Sequence, residues 1–237
     1  MNYFLQTLLA SDYASLLILI PPALLSIFAQ FLVKSTFEKY SKVANARGIT
    51  GKEAAAFLMQ SNGLSQIKIE PIRGSLTDHY DPRTKTLRLS ETVYAQKSIA
   101  AVGVAAHETG HALQDKFHYA PLVLRSTLVP MANIGSSAGP WLVIAGLVSS
   151  YPILTPIGIA LFSLSVAFYL VTLPVEFNAS HRALQNLASK NILSRAELSV
   201  AKKVLTAAAL TYVASALSSV TNLIRLVLIS RNRRNHQ

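Results

Sequence analysis

Long uncharged apolar runs alternate with polar stretches along this chain of 237 residues. Residues 13–33 and 152–173 contain no Asp, Glu, Lys or Arg, and residues 128–148 form a third apolar run. An apolar helix of ~20 residues crosses the ~30 Å hydrocarbon core of a bilayer. The pattern therefore predicts three membrane-spanning helices, the second of them interrupted by a turn at residues 135–140.

The connections between the apolar runs predict how these helices are arranged. Only residues 149–151 separate the second span from the third, so we expect the two to form a helical hairpin that ends at Pro174. A last apolar run, residues 204–229, is rich in Ala, Ser and Thr and contains Asn222 and Arg225. Its composition suits either a fourth span or a helix buried among the other three.

The polar segments 34–120 and 174–203 hold most of the charged residues. Thr50 and Glu53, three residues apart, form a capping-box pattern that marks a helix start. The patterns predict helices at 36–46, 50–60, 98–114, 176–190 and from 194, and strands at 67–71 and 86–89. The expected fold is mainly α, a single multi-span membrane domain over residues 1–237 with a small β element on the cytoplasmic side.

Composition supports the membrane assignment and gives it an orientation. Hydrophobic residues make up 51% of the chain and charged residues 14%, against ~25% charged residues in soluble domains. The net charge is +11, and because the basic residues lie between apolar spans, we expect lipid headgroups and not nucleic acid as their partners. Residues 34–120 hold 12 Lys or Arg and residues 174–203 hold five. The positive-inside rule then places both segments in the cytoplasm.

Residues 98–114 contain the H-E-x-x-H pattern formed by His107, Glu108 and His111. Side chains four residues apart share one face of a helix, so both imidazoles can reach one ion. Glu108 projects from the neighbouring flank, where it could accept a proton from water whose pKa zinc lowers to ~7. Such motifs also occur by chance on surface helices, but residues 99–106 are almost all Ala, Val and Gly. Buried imidazoles and carboxylates are costly unless paired or metal-bound, so a zinc site is favoured.

A catalytic zinc site of this kind needs a third protein ligand and keeps one position for water. The chain has no cysteine, which leaves His79, His118, His181 or a carboxylate. The predicted hairpin returns the chain to the side of the membrane that it left, and Glu176 is the only carboxylate in residues 116–196. Topology therefore favours Glu176 as the ligand, and the alternative is a solvated carboxylate at the membrane interface.

Three runs of the sequence, DHYDPRTKTLRLS, AAVGVAAHETGHALQ and LPVEFNASHRAL, resemble the YugP-like bacterial membrane zinc metallopeptidases. The resemblance covers nearly the whole chain, including the order of the spans. It implies a gluzincin-type zinc peptidase with His107 and His111 as ligands and Glu108 as catalytic base. The matching E-F-x-A-S segment implies Glu176 as third ligand. Where this chain has Asn178 the family commonly has Asp, and an amide there could orient a ligand imidazole without adding charge.

Four further side chains could stabilise a tetrahedral oxyanion, although structural or surface roles are open for each. These are His79, Tyr80, His181 and Arg182, of which the last two lie about one turn beyond Glu176 on the same predicted helix.

Two features beside the motif predict packing around the site. Gly110 lacks a side chain, so we expect a second helix to approach the motif helix closely there. The strand at 86–89 could be a sheet edge that binds an extended substrate backbone, or a plain structural strand.

The sequence thus favours a zinc-dependent membrane endopeptidase that acts on a protein or peptide at the cytoplasmic face of the cell membrane. The alternative is a non-proteolytic membrane scaffold or adaptor with a structural metal site, which would have no need of Glu108. A transporter would carry ionisable groups within its spans, and the two hairpin spans have none.

Overall fold

A computed structural model describes residues 16–234 of the chain, so residues 13–15 of the first predicted span lie outside the described residues. The described part is mainly helical with one small sheet. In chain order the elements are α1 (Ile20–Tyr40), α2 (Gly51–Ser61), β1 (Lys68–Ile72), β2 (His79–Asp81), β3 (Thr86–Ser90), α3 (Glu91–Tyr94), α4 (Ile99–Lys116), α5 (Ala120–Val148), α6 (Leu154–Ser189) and α7 (Arg195–Arg234).

Four helices, α1, α5, α6 and α7, are long and apolar enough to cross a membrane. In the most apolar 18-residue stretch of each helix, only 17–33% of the residues are buried within the protein. Apolar surface on this scale needs a lipid environment to cover it. The three predicted spans correspond to α1, α5 and α6, and α7 also has the length and composition of a membrane-spanning helix.

Three predicted helix boundaries are wrong, because the long helices run further than expected. Helix α1 continues past Lys34 to Tyr40, so no separate helix occupies residues 36–46. Helix α6 continues through Pro174, and the predicted helix at 176–190 is its second half. Helix α5 has no turn at residues 135–140, although it contains Pro130 and Pro140.

The described residues form two compact units. The first, the helical unit, comprises residues 16–28, 124–173 and 212–234. Its glycines explain the misread turn in α5, since a Cβ at Gly135 would lie 2.1 Å from the carbonyl oxygen of Leu161 on α6. Glycine at such positions lets membrane helices pack closely, a role that resembles a turn signal in sequence. The Oγ of Ser165 also donates to the carbonyl of Ala132 across this helix pair.

The second unit, the mixed unit, comprises residues 29–123 and 174–211. It contains the sheet, whose strand order is β1-β3-β2, with β1 parallel and β2 antiparallel to β3. Strand β3 is therefore central and paired on both sides, so of the two alternatives the structural strand is confirmed and the substrate-binding edge is excluded. The capping box of Thr50 and Glu53 at the start of α2 is confirmed.

Helix α4 lies between the two hydrophobic clusters of the mixed unit. One cluster packs Ala101, Ala105 and Leu113 of α4 against the sheet and α2. The other packs Val102 and Ala106 against α2, α6 and α7. Small side chains along α4 permit this double packing, and they fix the position of the helix that carries the H-E-x-x-H pattern.

Candidate metal centre

Helices α4 and α6 make a close backbone contact at Gly110. A Cβ on Gly110 would lie 2.6 Å from the carbonyl oxygen of Ala179 and 3.1 Å from its Cα. The prediction that this glycine admits a second helix is confirmed. As a result Glu176, three residues before Ala179, lies opposite the motif histidines.

Three side chains from these two helices converge. The Oε2 atom of Glu176 lies 3.2 Å from Nε2 of His107 and 3.6 Å from Nε2 of His111. One potential ligand atom from each of the three residues can be chosen so that all lie within 4.8 Å of one another. Glu176 is 2% exposed and His111 8%, whereas the side chain of His107 is 13% exposed, so the cluster is largely buried and reaches solvent at His107. Among the described residues, this is the group of three His, Asp or Glu side chains whose arrangement could hold a metal ion.

The other ring nitrogen of each histidine has a partner elsewhere. Nδ1 of His107 lies 3.1 Å from Oγ of Ser180, and Nδ1 of His111 lies 2.9 Å from Oε1 of Gln114. The Gln114 amide oxygen can only accept, so Nδ1 of His111 carries the proton. In the neutral ring this leaves the lone pair on Nε2, which faces Glu176, and an unprotonated Nε2 is what a metal requires.

The two separations from Glu176 to the histidines are those expected around a tetrahedral zinc ion. With Zn–N and Zn–O bonds of ~2.0–2.2 Å, two ligands of a tetrahedral ion lie ~3.3–3.5 Å apart. The two distances from Glu176 Oε2 agree with that spacing, and 3.6 Å is too long for a hydrogen bond. Two imidazoles and one carboxylate form a common zinc donor set in hydrolases. The residues present therefore fit zinc.

Gln114 connects the two helices behind the cluster. It is fully buried, and its Nε2 donates to the carbonyl of Val175 at 2.7 Å and to Oδ1 of Asn178 at 3.0 Å. Nε of Arg182 donates to the same Asn178 oxygen at 2.8 Å. Asn178 thus bonds Gln114, which in turn holds His111, so Asn178 is linked to the ligand imidazole through Gln114.

Two further buried or partly buried acids, Glu108 and Asp78, lie close enough to interact electrostatically. Glu108 is 7% exposed. The carboxylate of Asp78 accepts from the backbone N–H of Ser90 at 2.7 Å and from its hydroxyl at 2.9 Å. Burial raises the pKa of Asp78 against these hydrogen bonds, and the nearby charge of Glu108 raises it further. Burial acts to lower the pKa of His111, but the carboxylates of Glu176 and Glu108 outweigh it and the pKa is raised. Glu108 therefore lies close enough to His111 for its carboxylate to raise the pKa of that imidazole.

The remaining sequence candidates are placed elsewhere or have other partners. His118 and His181 are exposed and do not belong to the cluster. Nδ1 of His79 lies 2.9 Å from the carbonyl of Thr77. The hydroxyl of Tyr80 donates to Asp115 at 2.6 Å, and burial and this bond raise the pKa of Tyr80. None of these groups is assigned to an oxyanion by the geometry of the described residues.

Two supporting residues, Gln114 and Ser180, escaped the reading of the sequence. Gln114 lies seven residues after His107 and three after His111, on the same helical face as both. The signal in the sequence was therefore a glutamine on the helix face that carries both histidines. Ser180 lies four residues after Glu176 on α6, so its role depended on knowing that α6 continues past Pro174.

Comparison with known proteins agrees with this geometry. Residues 15–231 match the model of a protein family described as "Putative neutral zinc metallopeptidase". The chain is 50% identical over 210 residues to "Putative membrane protease YugP" of Bacillus subtilis (strain 168), an alignment that covers 89% of this chain and 93% of the relative. No solved structure matches the chain significantly.

Proposed function

Since this chain belongs to the neutral zinc metallopeptidase family, we propose that it is a zinc-dependent membrane endopeptidase with Glu108 as its general base. The observation that carries the proposal is the convergence of His107, His111 and Glu176, whose ligand atoms lie within 4.8 Å. The two histidines of this cluster lie on the helix that also supplies Glu108, so a metal and a base would be held side by side.

His107 and His111 would hold the metal through Nε2, and Glu176 through its carboxylate. Ser180 and Gln114 keep the two rings in orientation through their Nδ1 atoms. A zinc ion at this position would acidify water and polarise the carbonyl of a peptide bond. The net charge of the donor set is −1, which leaves a bound Zn²⁺ with enough positive charge for both effects.

Glu108 would accept the proton of the attacking water and pass it to the leaving amine. It follows His107 directly in α4 and so lies beside the histidine face without sharing it. The negative charge of Glu108 raises the pKa of both His111 and Asp78, which supports a position of Glu108 beside the metal cluster. General acid–base catalysis by such a carboxylate contributes ~10²–10⁴-fold to the rate.

We place the reaction at the cytoplasmic face of the cell membrane, in a multi-pass protein whose long helices contact the lipid bilayer. The histidines and Glu176 belong to segments 34–120 and 174–203, which carry 17 of the 22 Lys and Arg residues. The positive-inside rule supports a cytoplasmic position for both. The substrate would be a protein or peptide. The scaffold alternative is disfavoured because it gives no reason for a buried Glu108 beside the cluster.

The test compares the purified full chain with its Glu108→Gln variant for zinc content and for peptide hydrolysis. Glutamine cannot accept the proton, yet residue 108 is not a ligand. The variant should therefore keep one zinc ion per chain and lose at least ~10²-fold in hydrolysis. Glu38→Gln removes the same charge from an exposed position on α1 and is the matched control. Full hydrolysis by Glu108→Gln would reject Glu108 as the base.

A further inference from the structure

A cavity lined by apolar surface, hydroxyl groups and lysines lies within the mixed unit, between α1 and α7. Its volume is about 490 Å³, within the ~300–1,000 Å³ range of pockets that bind small molecules. Lys39, Lys202 and Lys203 line it together with three hydroxyl side chains, Thr36, Ser199 and Thr206. None of these residues belongs to the metal cluster, so the cavity needs a separate explanation.

The three ammonium groups have no carboxylate partner within residues 16–234. No ion pair forms between Lys39, Lys202 or Lys203 and an acid in that part of the chain. Glu197, an acid of α7, instead accepts from the backbone N–H groups of Ala46 and Ser194. The three lysines are exposed, and three positive charges around one cavity attract an anion.

The donor chemistry of the cavity suits a phosphate group. Ammonium and hydroxyl groups all donate hydrogen bonds, and a phosphate offers several oxygens that accept them. Three lysines bind phosphate mainly as point charges, so the site should select charge more than shape.

The polarity of the cavity is graded along both helices. On α1 the lining passes from Leu32, within the uncharged run that ends at Val33, to Lys39. On α7 it passes from Ala207, within the uncharged run that begins at Val204, back to Lys202. Apolar residues thus line the cavity within the uncharged runs of α1 and α7, and the lysines line it beyond the ends of those runs. A phospholipid has the same order of groups, with its acyl chains next to a charged headgroup.

We propose that this cavity binds the phosphate of an anionic phospholipid headgroup. Tyr40 also lines it, with Nζ of Lys39 5.4 Å from the centre of the tyrosine ring. Tyrosine beside lysine is the usual composition where a membrane helix meets the headgroup layer. The inference is independent of peptidase activity, because it uses none of the residues of the metal centre.

The test measures binding of phosphatidylglycerol that carries a fluorescent acyl chain to the full chain in mixed detergent micelles. Each lysine near an anionic surface contributes ~1 kcal/mol, so a Lys39→Gln, Lys202→Gln, Lys203→Gln triple variant should bind on the order of 100-fold more weakly. The matched control replaces three exposed lysines outside the cavity, Lys52, Lys68 and Lys97, by Gln. Elution volume and circular dichroism verify that both variants are folded.

Phosphatidylcholine with the same acyl chains and inorganic phosphate serve as competitors. Unlabelled phosphatidylglycerol should displace the probe, whereas phosphatidylcholine and 10-fold more inorganic phosphate should not. Equal losses in the two triple variants would mean a general charge effect and would overturn the proposal. Displacement by inorganic phosphate at the concentration effective for the lipid would assign the site to soluble phosphate compounds and overturn the assignment to a lipid.

Discussion

Replacing Gly110 by alanine should separate Glu176 from the two histidines. The added Cβ would lie 2.6 Å from the carbonyl oxygen of Ala179, where ordinary contact needs at least 3.4 Å. The obstacle is backbone and cannot rotate away, so α4 and α6 must move apart by ~0.8 Å, and such overpacking costs ~1–3 kcal/mol. Metal sites tolerate ligand displacements of only ~0.2 Å. We expect zinc affinity to fall at least ~10-fold.

Gly103 supplies the matched control on the same helix. A Cβ there would lie 3.4 Å from Cβ of Ala201, an ordinary contact. Alanine is favoured over glycine within a helix by ~1 kcal/mol, so Gly103→Ala should retain zinc and unfold at equal or higher denaturant concentration. Zinc affinity is measured by competition with a chromophoric chelator, and stability by denaturant unfolding in detergent. Equal zinc affinity in Gly103→Ala and Gly110→Ala would refute the close approach of α4 and α6 as the determinant of the site.

Two further predictions concern the support of His111 and the orientation in the membrane. Gln114→Ala should lower zinc affinity ~10–100-fold, because it removes the acceptor at Nδ1 of His111. Gln114→Met keeps most of the side-chain volume without the acceptor and should lose as much affinity as Gln114→Ala, whereas full zinc affinity in Gln114→Met would point to a packing role. Single cysteines at positions 68 and 190 should be protected from an impermeant thiol reagent in intact cells, while one at Ser150 is labelled. Labelling at 68 and not at 150 would invert the topology.

The sequence predicted the parts of the molecule that depend on local pattern. The capping box at Thr50 follows from two residues in fixed spacing, and its hydrogen bonds form as expected. The convergence of Glu176 with the motif histidines could be predicted because a hairpin of two spans constrains where the chain returns. Gly110 was informative because glycine destabilises the interior of a helix, so its presence in a buried helix indicates the close approach of another segment.

Tertiary packing decided the parts that were misread. Pro174 lacks an N–H and disfavours a helix interior by ~3 kcal/mol, yet Val175 and Ala179 after it are fully buried against the mixed unit and α6 continues. Gly135 looked like a turn residue, but it is required by contact with a neighbouring helix. The central position of β3 depends on its parallel pairing with β1, which single-strand patterns do not encode. The lysine cavity likewise joins residues ~160 positions apart in the chain.

The zinc content of Glu176→Ala, measured beside that of Glu108→Gln, tests the metal centre most directly. Glu176 supplies the carboxylate that lies within 3.6 Å of both Nε2 atoms, whereas Glu108 is expected to act on water alone. Glu70→Ala, which removes an exposed carboxylate from β1, is the control. Elemental analysis of the purified full chains should show zinc lost with activity in Glu176→Ala and zinc retained without activity in Glu108→Gln. Stoichiometric zinc of unchanged affinity in Glu176→Ala would contradict the account and direct the search for a third ligand elsewhere, first to His181.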